Sequence, residues 1–141
     1  SKGLGAPVGS LLAGSVSAIE KARFYRKQQG GAMRQVGILA EAARYALEHN
    51  RDRLVEDHKN CQILAKGLAG LSGIEVDAEG PETNMLFINT GDHAATDLAN
   101  RLEGLGVRLL KTGPNTLRAV TNLTVSRREI SDVLSAFEEL I

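Results

Sequence analysis

The spacing of apolar residues along the chain predicts five helices. Apolar side chains recur at intervals of three and four residues, as on the buried face of an amphipathic helix. A glycine pair at Gly30-Gly31 ends the first of these segments, and a Ser-x-x-Glu capping box at Ser126 begins the last. The predicted helices are residues 17–29, 33–48, 51–71, 92–105 (with Asp92 as its N-cap) and 126–140.

Short apolar runs between turn residues predict five strands. They are residues 8–13, 74–78, 85–89, 107–111 and 117–121. After residue 73 the predicted order is ββαββα, which favours a small α+β layer with helices on one face of a mostly antiparallel sheet. The first strand has no predicted strand near it, and we expect it to belong to a larger sheet.

Composition excludes several classes of protein. The chain has 141 residues, 43% hydrophobic and 24% charged, and its 17 basic and 17 acidic residues cancel. This balance argues against binding to nucleic acid or to a membrane surface through net charge. Cys61 is the single cysteine, so no intrachain disulfide forms, and a reducing cytoplasmic compartment is predicted. No apolar run approaches the about 20 residues of a membrane span, and the three histidines do not have zinc-ligand spacing.

The charge is unevenly distributed along the chain. Residues 1–40 contain six basic residues and one acidic residue, whereas residues 41–141 contain eleven basic and sixteen acidic residues. The basic segment has two interpretations, a solvated basic helix and a local anion site. Arg26 and Lys27 lie on one side of the Gly30-Gly31 pair and Arg34 on the other, so that their side chains could meet at a phosphate.

Two single residues are candidates for chemistry. Lys2 is followed by Gly-Leu-Gly-Ala-Pro, a setting in which a lysine is either a solvated terminal residue or an amine nucleophile. Arg118 interrupts the apolar run 117–120, and a charged residue in a partly buried strand needs a partner. That partner is either an internal carboxylate or the carboxylate of a substrate, both of which match the guanidinium fork. Cys61, on an apolar stripe, is predicted to be a buried hydrophobe rather than a reactive thiol.

Three sequence blocks together resemble the low-specificity L-threonine aldolases. They are SKGLGAPVGS at residues 1–10, RKQQGGAMRQVGIL at 26–39 and LRAVT at 117–121. The likeness covers this whole chain but only the later part of such an enzyme. Ala32 departs from a common third glycine of the family, and Asn122 stands where histidine is frequent.

This resemblance implies an α/β fold of the pyridoxal-phosphate-dependent, aspartate-aminotransferase-like type (fold type I). Residues 1–50 are then the end of the large cofactor-binding domain with its bridging helix, and residues 51–141 the small C-terminal α+β domain. Lys2 is implied as the catalytic lysine that forms a Schiff base with pyridoxal 5'-phosphate. Lys27 and Arg34 are implied in the cofactor surroundings, and Arg118 as the binder of the substrate carboxylate.

The implied reaction is retro-aldol cleavage of L-threonine, L-allo-threonine and related β-hydroxy amino acids to glycine and an aldehyde. The implied assembly is a homotetramer, a dimer of dimers with shared active sites. Its partners are the substrate and the N-terminal segment of the same enzyme, which is expected to supply the catalytic base. No metal, nucleic acid or membrane is expected. Two alternatives stay open, namely another fold type I enzyme (serine-hydroxymethyltransferase-like or a β-eliminating lyase) and a noncatalytic folding or interaction module.

Overall fold

A computed structural model describes residues 2–141, which divide into two compact units. The first comprises the described residues up to Arg51, and the second is Asp52–Ile141. The first contains two helices, α1 (Val16–Gln28) and α2 (Gly37–His49). The second contains α3 (Leu54–Leu68), β1 (Met85–Asn89), α4 (Ala95–Gly104), β2 (Leu110–Gly113), β3 (Thr116–Val120) and α5 (Arg127–Leu140).

The two helices of the first unit are confirmed, with one shifted start. Helix α1 begins after Ser15, whose hydroxyl accepts a hydrogen bond from the Ala18 amide. Helix α2 begins at Gly37 rather than at the predicted residue 33. Gln35 explains this difference, because its φ of 50° is left-handed and cannot continue a right-handed helix.

The predicted strand at residues 8–13 is wrong. These residues have irregular backbone and exposed side chains. A strand needs hydrogen-bonding partners for its amides and carbonyls, and the part of the first unit that the structure describes contains no other strand. The described part of the first unit therefore has no sheet in which this apolar run could be buried.

The second unit contains a three-stranded antiparallel sheet with strand order β1-β3-β2. Alternate residues of the paired strands β1 and β3 are buried. They are Leu86 and Ile88 on β1, and Leu117 and Ala119 on β3. They join one core with Leu68, Leu102, Phe137 and other residues of the three helices. The expected arrangement, with helices on one face of an antiparallel sheet, is confirmed.

Three local predictions in the second unit need correction. Residues 74–78 form a single bridge between Glu75 and Asn89 instead of a strand, so the observed order is βαββα. Strand β2 begins at Leu110 rather than residue 107, after the positive φ of Gly106. Asp92 does not cap α4; the helix begins at Ala95, whose amide donates to the Pro114 carbonyl of the β2–β3 turn.

The capping box at the start of α5 is confirmed. The Ser126 hydroxyl accepts from the Glu129 amide, and the Glu129 carboxylate accepts from the Ser126 amide at 2.6 Å. These hydrogen bonds hold the pKa of Glu129 below its ordinary value. A Cβ on Gly67 of α3 would lie 2.5 Å from a methyl group of Leu134, so any larger residue at this position would require the Leu134 side chain to move.

Cys61 is buried in the core of the second unit, as its position on the apolar stripe predicted. Burial raises the pKa of its thiol from 9.0 to about 11. At pH 8 the native thiolate fraction is then about a hundredfold below that of a thiol with the ordinary value. We expect a thiol-reactive dye to label the folded chain at least about a hundredfold more slowly than the urea-unfolded chain, because the Cys61 thiol is both less ionised and only 1% exposed. Because Cys61 is the single cysteine, C61S gives the blank, and fast labelling of the folded chain would contradict a buried position.

Candidate functional site

Lys2 lies in a tight turn at the start of the described chain. Its carbonyl accepts a hydrogen bond from the Gly5 amide at 2.8 Å, and Gly5 has a φ of 71°, which favours glycine. The Asn50 side chain holds this segment through a 2.8 Å hydrogen bond to the Leu4 carbonyl. The Lys2 side chain is exposed. The turn thus presents the amine to solvent from a backbone that is anchored to the end of α2.

Lys27 and Arg34 lie at opposite ends of the connection between α1 and α2. Lys27 is in the last turn of α1, and Arg34 precedes α2 by three residues. Both side chains are exposed, and neither makes a hydrogen bond or ion pair within residues 2–141. Arg44 differs, because it is paired with Glu41 and Glu48 on its own helix.

The start of α2 adds unpaired amides beside Arg34. This helix has no side-chain cap and no acidic residue in its first turn, and the first amides of a helix have no partner within it. Positive partial charge at a helix start and a free guanidinium favour an anion. The anion-site interpretation of the basic segment therefore has suitable donors.

Arg118 is the middle residue of β3, the central strand of the sheet. It pairs with Phe87 of β1 on one side and Leu110 of β2 on the other. Residues directly opposite each other in an antiparallel sheet share a face. Phe87 and Leu110 are 54% and 53% exposed, so Arg118 lies on the face of the sheet that the helices do not cover.

The Arg118 guanidinium has no partner within the described residues. Its Nε is buried and makes no hydrogen bond, and no ion pair joins it to a carboxylate of residues 2–141. The internal ion pair that the sequence left open is therefore not formed in the described chain. An unsatisfied buried donor costs about 1–3 kcal/mol, which an incoming carboxylate would recover.

The four predicted site residues are divided between the two units. Lys2, Lys27 and Arg34 belong to the first, and Arg118 belongs to the second. Sequence reasoning missed Phe87 and Leu110 as the neighbours of Arg118. The strand at 85–89 was predicted correctly, so the missing information was the register, which places Phe87 rather than Met85 or Asn89 opposite the arginine.

Asn122, one of the two departures from the family pattern, has a local structural role. Its side-chain oxygen accepts hydrogen bonds from the Thr124 amide at 3.0 Å and the Thr124 hydroxyl at 2.8 Å. This is an Asx turn, which fixes the connection from β3 to α5.

The described residues contain neither a metal-ligand cluster nor a membrane-spanning helix. Within residues 2–141 no group of three or more His, Cys, Asp or Glu side chains could hold a metal ion. Of the helices in that same range, none combines the length and the apolar character that spanning a membrane requires.

Comparison with known proteins gives consistent results. Residues 1–91 match the beta-eliminating lyase family. Low-specificity L-threonine aldolase 1 of Arabidopsis thaliana is 42% identical over 142 residues, covering 99% of this chain and 40% of the relative. The low specificity L-threonine aldolase of Escherichia coli K12 is 44% identical over 133 residues, covering 94% of this chain and 38% of the relative.

The solved structures match the fold. A structure from Listeria monocytogenes EGD-E, described as an L-allo-threonine aldolase, superposes with a TM-score of 0.79 at 18% identity, covering 99% of this chain and 42% of that one. The expected fold class, fold type I, is confirmed. The chain spans about 40% of the length of its curated relatives. The chain belongs to the beta-eliminating lyase family, and its resemblance to the low-specificity L-threonine aldolases is confirmed.

Proposed function

We propose that this chain is the C-terminal portion of a pyridoxal-phosphate-dependent aldehyde-lyase of the threonine aldolase type. The enzyme cleaves L-threonine, L-allo-threonine and related β-hydroxy amino acids to glycine and an aldehyde. The observation that carries the proposal is Arg118, whose buried Nε is unpartnered on an uncovered sheet face. The sequence identity of 42–44% to L-threonine aldolases supports the choice of reaction.

The exposed apolar side chains of the first unit favour packing against additional polypeptide. Ala46 is the one buried side chain in its described part, while Leu11 and Ile38 are 92% and 83% exposed. Exposed apolar surface of this kind marks an interaction site. We assign it to the N-terminal segment of the same enzyme and to neighbouring subunits in a cytoplasmic homotetramer. In this assignment, the first unit is the end of the large domain and the second is the small domain.

The residues of the first unit fit pyridoxal 5'-phosphate. Lys2 offers an exposed amine on an anchored turn, and Lys27 and Arg34 are cations without internal partners. We assign Lys2 to the cofactor aldehyde and Lys27 and Arg34 to the surroundings of its phosphate. When bound, the cofactor supplies the electron sink for cleavage of the Cα–Cβ bond.

Arg118 binds and orients the substrate carboxylate in this proposal. Arg118 stands in the middle of a strand that is paired on both sides, so its backbone position is fixed before substrate arrives. Phe87 and Leu110 lie opposite Arg118 on the two neighbouring strands and place apolar side chains on either side of it. Fixing the carboxylate restricts the orientation of the bonds around Cα, which is the contribution of positioning to the rate.

Arg118 variants test the proposal in the completed enzyme, meaning this chain joined to the N-terminal portion that its curated relatives have. We expect the completed enzyme to release glycine from threonine or allo-threonine. We expect R118A to raise the KM for the amino acid about tenfold to a hundredfold. Hydrogen bonds to charged groups contribute about 1.5–3 kcal/mol, and each 1.4 kcal/mol is a factor of ten.

The control is R108A, because Arg108 belongs to the same unit and its side chain is 87% exposed. It should leave KM unchanged. An unchanged KM in R118A would remove the carboxylate role. A completed enzyme that binds the cofactor but cleaves no β-hydroxy amino acid would favour another fold type I reaction. A chain that folds and binds a partner without cofactor would favour a noncatalytic module.

A further inference from the structure

Thr121 fixes the end of the strand that carries Arg118. It follows β3 directly and is buried. Its hydroxyl donates to the Asp57 carbonyl of α3 at 2.6 Å. Its amide donates to the Asn84 carbonyl at 3.0 Å, and its own carbonyl accepts from the Asn84 side chain at 2.7 Å. One residue thus ties β3 to α3 and to the residue that precedes β1.

These contacts differ in what they control. The backbone bond from the Thr121 amide to the Asn84 carbonyl continues the antiparallel ladder by one residue beyond Met85 and Val120. The Asn84 side chain adds a second bond, to the Thr121 carbonyl. Both bonds fix the register of β3 against β1. The hydroxyl bond to Asp57 is different, because it crosses from the sheet to a helix that also belongs to the core. It therefore fixes the position of β3 along its own axis relative to the rest of the unit.

Arg118 is three residues before Thr121, which is about 10 Å along an extended strand. No side chain of the described residues holds the Arg118 guanidinium. Its placement must therefore come from its backbone, and the backbone of β3 is held at this end by Thr121. We propose that Thr121 is a positioning residue for substrate binding, acting by keeping Arg118 in register with the substrate carboxylate. The proposal rests on the proposed function of Arg118.

The test compares T121V with T121S in the completed enzyme. Valine has the shape of threonine but no hydroxyl, whereas serine keeps the hydroxyl. We expect T121V to raise the KM for threonine about tenfold with kcat changed less than about threefold, since a displacement of about 1 Å can cost about a hundredfold. T121S should restore the KM. The inhibition constant of glycine should rise with KM, while that of glycinamide, which has no carboxylate, should not.

Thr90 provides a matched control. It is buried, follows β1 as Thr121 follows β3, and donates its hydroxyl to the His93 carbonyl at 2.6 Å. T90V should lower Tm to a similar extent without a selective rise in KM. The positioning role would be overturned if T90V raised KM as much as T121V does. It would also be overturned if T121V weakened the binding of glycine and glycinamide equally.

The outcomes separate the two proposals. If R118A leaves KM unchanged, the proposed carboxylate binding by Arg118 is wrong, and the positioning role of Thr121 falls with it. If R118A raises KM and T121V does not, only the positioning role fails. Should T121V not fold, N84A removes the side-chain bond to the Thr121 carbonyl and leaves the hydroxyl in place. N84A should also raise KM, as expected for T121V. An unchanged KM in N84A would count against the proposal.

Discussion

Replacing Lys2 with alanine is expected to abolish covalent attachment of pyridoxal phosphate and to lower aldolase activity of the completed enzyme by about two to four orders of magnitude. A positioned group that transfers a proton contributes about this range, and a lysine that bonds to a carbonyl compound supplies a nucleophile as well. Arginine at this position keeps the positive charge but does not form the bond, so K2R should resemble K2A.

The measurement is borohydride reduction followed by peptide mapping. The unsubstituted protein should carry a reduced cofactor adduct on Lys2, and K2A should carry none. Two lysines of α1, Lys21 and Lys27, are internal controls because both are exposed on the same unit. An adduct on either of them, with Lys2 unmodified, would contradict the assignment. K21A should leave both the adduct and the activity unchanged.

Local signals in the sequence were reliable where the chain itself supplies the partner. The capping box at Ser126 and Glu129 requires only residues three apart, and α5 begins there. Strand 85–89 was predicted with its observed bounds because its alternation matches a sheet that this chain completes. The strand at 8–13 has the same kind of pattern but no strand beside it in the described part of the first unit, so it is irregular.

In the candidate site too, the sequence indicates local features but not long-range contacts. Arg118 was found because a charge in an apolar strand is visible in the sequence, and the structure adds that its guanidinium is unpartnered. Thr121 was included in a predicted strand, but nothing in its spacing indicates a bond to Asp57, 64 residues away. Contacts of that separation depend on the packing of α3 against the sheet, and one sequence carries no signal for them.

Asp57 is a fully buried charged residue that no pattern in the sequence indicates. It lies in the first turn of α3, where an acidic side chain is expected to be exposed and to interact favourably with the helix dipole. In the structure its side chain is fully buried and accepts a hydrogen bond from Arg53 Nη2 at 2.8 Å. Its second oxygen and Arg53 Nη1 are buried without partners. Each of the two charged groups therefore depends on the other for its hydrogen bond, and each still has one buried atom without a partner.

Asp57→Ala is expected to destabilise the second unit by about 3–5 kcal/mol, because it leaves the Arg53 guanidinium, 24% exposed, without its buried partner. A domain of this size has a free energy of unfolding of about 5–15 kcal/mol, so the loss is a large part of the total. Urea unfolding followed by Cys61 labelling reports this unit specifically, since Cys61 lies in its core.

Glu56 is the matched control, because it neighbours Asp57 and approaches the same arginine at 3.9 Å with its side chain 69% exposed. E56A should change stability by less than about 1 kcal/mol, as exposed pairs do. The double variant R53M/D57L should be more stable than D57A, since replacing a buried ion pair by apolar side chains is often neutral. If D57A and E56A were equally mild, the buried pair would have no special role. If the double variant were as unstable as D57A, the loss would come from packing at Asp57 rather than from the stranded charge on Arg53.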